Sequence, residues 1–320
     1  MPDEDFESNE SKPLTIKRMT SKLKAKPPES VPPGKTKGCI FGPPGSGKTW
    51  FTLSFPTPYY IDTEGGADLR HYQERLKAAG GVYMGPAEGA LDFPTVLAEM
   101  QTLATETHPY KTLVFDSITK LYQTAIALES ERLGEKDVFG ASKKPAIAWM
   151  RRLVNWAMRL DMNIWFVAHE VAEWGVVNGQ RTEVGKIADI WDKLMYEFDL
   201  GLRIQKAGVS RYATVRKTRL LGFPDGEQFP LEQDGADVGY AEFAKRYGQD
   251  FIEAPSQTIV LATAEQVAEI VRLVGIVKTS EAEIEKILTK AGADSWAELN
   301  EEQAGATIKW LNSKINPKGK

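Results

Sequence analysis

From Lys37 onward the apolar positions alternate between short unbroken runs and helical spacings. "GCIFG" (38–42) reads as a buried strand, and Pro56 and Pro58 stop the brief helix after it. "PYYID" (58–62) and "TLVFD" (112–116) are two more runs of strand length, and "NIWFVAHE" (163–170) is a fourth. Between them lie helical periods. One covers 93–106, with Val96, Leu97, Met100, Leu103 and Ala104 on one face. The other covers 146–160, with Ile147, Met150, Leu153, Val154, Ala157 and Leu160 opposite Arg151, Arg152, Asn155 and Arg159. Residues 195–204 and 212–217 read as further strands at one edge. Strands apolar along their whole length, separated by amphipathic helices, predict an α/β fold with a central, mostly parallel sheet covered on both faces.

The texture changes at both ends. Residues 1–33 pass from an acidic block to a basic one and then to "PPESVPPG", with too little apolar surface to offset the entropy of ordering. They read as a charged, proline-rich tail, with a weak DNA-contacting arm as the sharper alternative. A large α/β core is then expected at 34–255, and a small helical module at 256–320. In that module Thr263/Gln266, Ser280/Glu283, Ser295/Glu298 and Asn300/Gln303 have capping-box or related spacing, and Gly275 and Gly292 are expected helix stops.

Composition narrows the class. A hydrophobic share of 42%, a charged share of 26% and a net charge of −4 describe a globular chain with no global basic field, so any nucleic-acid contact must come from a local patch. The single cysteine, Cys39, excludes an internal disulfide framework and lies in an apolar run, as a core residue would. No run approaches a membrane span, and the acidic start is unlike a signal peptide, so no membrane association and a cytoplasmic location are expected.

Candidate chemistry begins at "GPPGSGKT", the P-loop pattern in full between a strand and a helix. Gly42, Pro43, Pro44, Gly45, Ser46 and Gly47 would turn backbone N–H groups toward phosphate oxygens. Lys48 would reach the β- and γ-phosphates, Thr49 would ligate Mg²⁺, and Trp50 adjoins the same site. Asp116, at the end of the "TLVFD" strand, fits the second Mg²⁺-holding position. Asp62 and Glu64 end the strand that follows the P-loop helix, at the sheet edge where ligands bind in such folds. Glu64 is placed to activate a water against the γ-phosphate. For Asp62 two roles stay open: orienting a magnesium-bound water, or capping the loop through the N–H groups of Gly65 and Gly66.

A P-loop, then "YIDTEGG", then "LVFDS", then an apolar strand ending in "VAH", resembles the order of RecA and RadA-type recombinases. The short helix after "GKT", the "SFPTPYYIDTEGG" and "VAHE" stretches and the late "VRKTR" resemble phage-type RecA-like ATPases of single-strand annealing and recombination, over roughly 37–225. The resemblance implies a RecA-like fold in which the P-loop strand lies next to the strand ending at His169, with the Asp116 strand beyond. It implies ATP and Mg²⁺ as cofactors, Glu64 as hydrolytic base and His169 as a sensor of the γ-phosphate. ATP would order the segment after His169 and hydrolysis would release it. The expected partners are single-stranded DNA, copies of the same chain and, as a further candidate, a single-strand-binding protein. A phage origin would put the protein in the bacterial host cytoplasm.

Two segments are candidates for holding DNA. "EVAEWGVVNGQRTEVGKI" after His169 offers Trp174 for stacking and Arg181 and Lys186 for phosphates. Residues 134–145 offer Lys143 and Lys144. In the family, basic residues in the position of Lys217 and Arg219 act as a finger in trans on a neighbour's γ-phosphate. No clear counterpart of the N-terminal polymerisation strand of RecA, nor of the helix-hairpin-helix domain of RadA-type proteins, is expected from this sequence. Two rival readings therefore stand beside the recombinase: another P-loop machine, such as a helicase loader or packaging ATPase working through protein contacts, and an assembly scaffold that hydrolyses little.

Overall fold

The structure is a computed structural model, and it describes residues 34–138, 140–191 and 193–315. The expected tail at 1–33 and the last five residues of the helical module lie outside the described residues. The strands are β1 (Lys37–Phe41), β2 (Pro58–Asp62), β3 (Val82–Met84), β4 (Thr112–Asp116), β5 (Asn163–Ala168), β6 (Glu170–Val177), β7 (Gln180–Ala188), β8 (Leu200–Ala207), β9 (Ser210–Thr218), β10 (Gln228–Pro230), β11 (Glu232–Gln233) and β12 (Ala236–Asp237). The helices are α1 (Lys48–Thr52), α2 (Arg70–Ala78), α3 (Phe93–Thr105), α4 (Ile118–Leu133), α5 (Lys143–Arg159), α6 (Gly239–Tyr247), α7 (Gln249–Glu253), α8 (Ala264–Val277), α9 (Glu281–Ala291) and α10 (Glu301–Ile315).

Eight strands form the central sheet in the order β10-β9-β8-β1-β5-β4-β2-β3. From β8 to β3 the pairing is parallel, and β9 and β10 add antiparallel strands at one edge. β1 therefore lies beside β5, which ends one residue before His169, and β4 lies beyond, the RecA-like order. Side chains of the central strands alternate between two buried layers. Cys39, Phe41, Phe115 and Phe166 pack under α3, α4 and α5, while Ile40, Tyr60, Val114 and Trp165 pack under α1 and α6. Burial on both faces is why these strands appear as continuous apolar runs. In the second layer Phe55 meets the rings of Trp165 at 5.2 Å and Phe243 at 5.3 Å, edge to face. Each such pair adds about 0.5–1.5 kcal/mol beyond its buried area.

The elements without a clear pattern are those with little to bury. α2 hides only Leu76, and the half-buried three-residue β3 completes the far edge of the sheet. α5 begins at Lys143, three residues before the periodicity does, because its first turn is polar. The strand expected from residue 195 starts at Leu200, since Leu194–Tyr196 is a single 3₁₀ turn.

The helical module has its own small core of Ile270, Leu273, Leu299, Ala304 and Leu311. Reciprocal caps form at Thr263/Gln266, Ser280/Glu283 and Asn300/Gln303. At the Ser295/Glu298 pair the hydroxyl makes no cap bond, and Glu298 accepts from the Asp294 N–H and from Arg152 instead. Gly292 ends α9 as expected, but Gly275 lies inside α8, which continues to Val277 and is capped by Lys278 in the left-handed conformation. Arg152 also pairs with Asp294 at 2.7 Å, and Arg159 donates to the Glu298 carbonyl, while Ile259 N–H bonds to the Ala104 carbonyl and Ser256 to the Tyr110 carbonyl, so α5 and the start of the module share the contact with the sheet domain. No helix among the described residues is long and apolar enough to cross a membrane.

Candidate functional site: a phosphate loop, a carboxylate edge and a hairpin

β1 runs directly into Gly42–Thr49, and two features make glycine necessary there. A Cβ on Gly42 would stand 2.2 Å from the Ile204 carbonyl oxygen of β8. Gly47 has φ 102°, a conformation that L side chains rarely adopt, and the Arg211 side chain lies against it. Lys48 opens α1 and folds back over the loop, with Nζ donating to the carbonyls of Gly42 at 2.8 Å and Pro43 at 3.0 Å. Burial lowers its pKa, and the carboxylates of Asp116, Glu64 and Glu170 oppose that shift. A part-buried ammonium among carboxylates at the start of a helix is well suited to receive phosphate oxygens.

Asp116 ends β4 and faces this loop. One of its oxygens accepts from Thr49 Oγ1 at 2.7 Å and from the phenol of the buried Tyr60 at 2.6 Å. Burial raises the carboxyl's pKa, and the two hydroxyl donors pull it back. A hydroxyl and a carboxylate, both hard oxygen donors in contact beside the phosphate loop, fit Mg²⁺.

Glu64 and Asp62, two residues apart, do different work. Asp62 is buried, and its oxygens accept the N–H groups of Glu64 (3.0 Å), Gly65 (2.8 Å) and Ala67 (2.7 Å) and the hydroxyl of Tyr83 (3.1 Å). Of the two roles open to it, the geometry shows the loop cap, through Gly65 but not Gly66. Glu64 is half-exposed, and its Oε1 accepts from Ser117 Oγ and lies 2.7 Å from His169 Nε2. Glu64, Ser117 and His169 thus converge from β2, β4 and β5 on one edge of the sheet.

The segment after His169 is not a loop. β6 and β7 form an antiparallel hairpin that turns at Asn178–Gly179, a two-residue turn with both φ angles positive. Its base is clamped: Asp189 N–H bonds to the His169 carbonyl at 2.9 Å, and Thr119 Oγ1 both accepts from His169 N–H and donates to the Asp189 carbonyl. Trp174 is exposed on this hairpin with the Arg181 guanidinium 5.2 Å from its ring, and Lys186 pairs with Glu183 at 2.7 Å. Val176, Val177, Val184 and Ile187 are exposed as well. Lys143 and Lys144 form the first turn of α5.

Lys217 and Arg219 stand at the end of β9 that leads away from the chain's own phosphate loop. Lys217 pairs with Gly201, level with Cys39 in the middle of β1, and the Arg219 N–H bonds to the Asp199 carbonyl just before β8 begins. Arg219 donates to Asp199 and to the Tyr196 carbonyl, while the part-buried Lys217 Nζ has no hydrogen-bond partner among the described residues.

One part of the site was not anticipated. A recess of about 380 Å³ opens beside Gly45 and Gly47, walled by Trp50, Tyr72, Arg211 and the β11–β12 hairpin with Glu232 and Asp237. Arg211 pairs with Glu232, while Trp50 Nε1 and Arg75 both donate to Asp237. The Arg75 guanidinium stacks 4.0 Å from the Trp50 ring. The turn signal Asp234–Gly235 could have disclosed this hairpin.

No curated protein matches the chain. Among solved structures it is similar to the RadB recombinase, at 18% identity over 60% of this chain and 84% of that one, with a TM-score of 0.38. A family model described as an AAA domain matches residues 34–222, more than half of the chain and the whole of the phosphate loop, the carboxylate edge and the hairpin, and the protein belongs to that AAA-domain family.

Proposed function

We propose that the protein is an ATPase that binds single-stranded DNA under the control of its nucleotide, in recombination or annealing of the phage type. The observation that carries this reading is the 2.7 Å contact of Glu64 with His169. It couples a carboxylate facing the phosphate loop to the residue from which the β6–β7 hairpin springs.

In this reading the triphosphate lies along Gly42–Thr49, with Lys48 against its terminal phosphates. The base and ribose enter the recess between Tyr72, Trp50 and Arg211. Thr49 and Asp116 hold Mg²⁺, which neutralises phosphate charge when bound. Glu64 orients a water in line with the γ-phosphate and takes its proton. Ser117 and His169 hold that carboxylate in place. With Glu64 as acceptor, His169 carries its proton on Nε2, and any change at the γ-phosphate is felt at the hairpin base one residue away. The hairpin presents Trp174 and Arg181 as a stacking and charge pair for single strands. Because Lys217 and Arg219 lie at the end of β9 that leads away from the chain's own phosphate loop, a finger role for them requires a neighbouring subunit.

Steady-state ATP hydrolysis with and without single-stranded oligonucleotide tests the reading. Expected are magnesium-dependent turnover stimulated by single strands, and a loss of about 100-fold or more in Glu64→Gln with nucleotide binding retained. Turnover unchanged in Glu64→Gln removes Glu64 as the base. Magnesium-dependent turnover indifferent to single strands would leave an ATPase of another kind.

A further inference from the structure

Glu170 opens β6, directly after His169. Arg203 grips its carboxylate with a two-pronged contact, Nε to Oε2 at 2.9 Å and Nη2 to Oε1 at 3.3 Å. The two side chains are only 18% and 12% exposed. The hairpin does not need this pair for its register, which eight residue pairs and the Thr119 clamp already fix.

The position of the pair is more telling. Arg203 lies on β8 in register with Phe41, the last residue before the phosphate loop. Its neighbour Ile204 turns its carbonyl oxygen to within 2.2 Å of where a Gly42 Cβ would be. Glu170 is near enough to Lys48 to act on its charge, together with Asp116 and Glu64. The backbone of Arg203 thus lies level with the start of the phosphate loop, and its guanidinium is held by a carboxylate that belongs to the hairpin and acts on Lys48. A terminal phosphate bound at Lys48 would bring dense negative charge beside Glu170, repelling it and competing for Arg203. A diphosphate would not bring that charge. The guanidinium offers five donors in a plane that matches phosphate as well as carboxylate.

We propose that Arg203 is a sensor of the terminal phosphate acting within its own subunit: with a triphosphate bound, the guanidinium turns from Glu170 to a γ-phosphate oxygen, and the freed Glu170 lets the β6 stem reorient. This rests on the reading of the site as an ATP site. The reaction itself is untouched by it, since no bond is made or broken and only an ion pair changes partner.

The test compares the full-length protein with Arg203→Gln, Arg203→Lys and Glu170→Gln. Calorimetry would give the affinities for ADP and for a slowly hydrolysed ATP analogue, both with Mg²⁺, and hydrogen exchange would follow residues 170–188. In the wild type, contrary to the ordering by ATP that the family resemblance implies for this segment, the analogue speeds exchange at the β6 stem relative to ADP. Arg203→Gln lowers the preference for analogue over ADP about ten-fold, the scale of one charge-assisted hydrogen bond, and makes hairpin exchange the same with either nucleotide. Arg203→Lys, which keeps the charge and loses the fork, falls between. Glu170→Gln has the opposite sign: the preference rises, and the stem exchanges fast even with ADP. An Arg203→Gln protein that keeps the wild-type preference overturns the proposal. So does a Glu170→Gln protein whose preference falls, because the pair is then a strut. A wild type that binds neither nucleotide overturns the ATP reading, and the sensor with it.

Discussion

Replacing Tyr60 by Phe removes one oxygen from a buried ring and leaves the packing of β2 in place. That oxygen is the 2.6 Å donor to Asp116, which also accepts from the Thr49 hydroxyl. Burial raises the Asp116 pKa in the folded protein, so between the ordinary aspartate range and this raised value the folded state holds more protons than the unfolded one. The contribution of Asp116 to stability is therefore full in acid and is lost as the pH climbs through the raised value. Tyr60 limits that loss by stabilising the ionised form, and its own pKa, driven far up by burial, keeps it a donor throughout. A hydrogen bond to a charged group contributes about 1.5–3 kcal/mol. Tyr60→Phe should then cost about that much stability above the raised Asp116 pKa and much less below it. Urea unfolding across pH measures it, and saturating Mg²⁺ with an ATP analogue should restore part of the loss by binding the folded state. An equal loss at every pH would show that Tyr60 matters through packing alone, and no loss would show that Asp116 does not depend on it.

Other expectations follow from the same geometry. Trp174→Ala should weaken single-strand binding by about 1–3 kcal/mol without changing nucleotide affinity, read by oligonucleotide anisotropy and calorimetry; unchanged DNA affinity removes the hairpin face from the DNA site. Phe55→Ala should cost about 3–5 kcal/mol in denaturant unfolding, because its ring fills the gap between Trp165, Phe243 and Tyr240; a loss below about 1 kcal/mol would mean that this layer repacks. Arg152→Ala removes both ion pairs to the helical module and should raise hydrogen exchange in residues 294–299 while leaving β1–β5 protected.

The sheet was legible because its strands are buried on both faces, and the P-loop, Asp116 and Glu64 were legible because each sits at a strand end beside a motif. The hairpin after His169 was not. Glu173, Arg181, Glu183 and Lys186 break its alternation, most of it is solvated, and glycines at 175, 179 and 185 suggest a loop. The turn pair Asn178–Gly179 was its signal. Asp62 shows a different limit: a carboxylate beside a site and a carboxylate capping a turn are identical in sequence, and the three N–H groups that converge on it appear only in the fold. Arg203 and Arg211 went unseen because their roles come from register, which brings β8 and β9 beside a loop some 160 residues earlier.

The most direct test of the account is fluorescence anisotropy of a labelled single-stranded oligonucleotide titrated with the protein, with and without Mg²⁺ and a slowly hydrolysed ATP analogue, and with duplex as competitor. The account predicts binding that tightens with the analogue, weakens steeply with salt and prefers single strands over duplex. Absence of binding at low salt in either nucleotide state would contradict it.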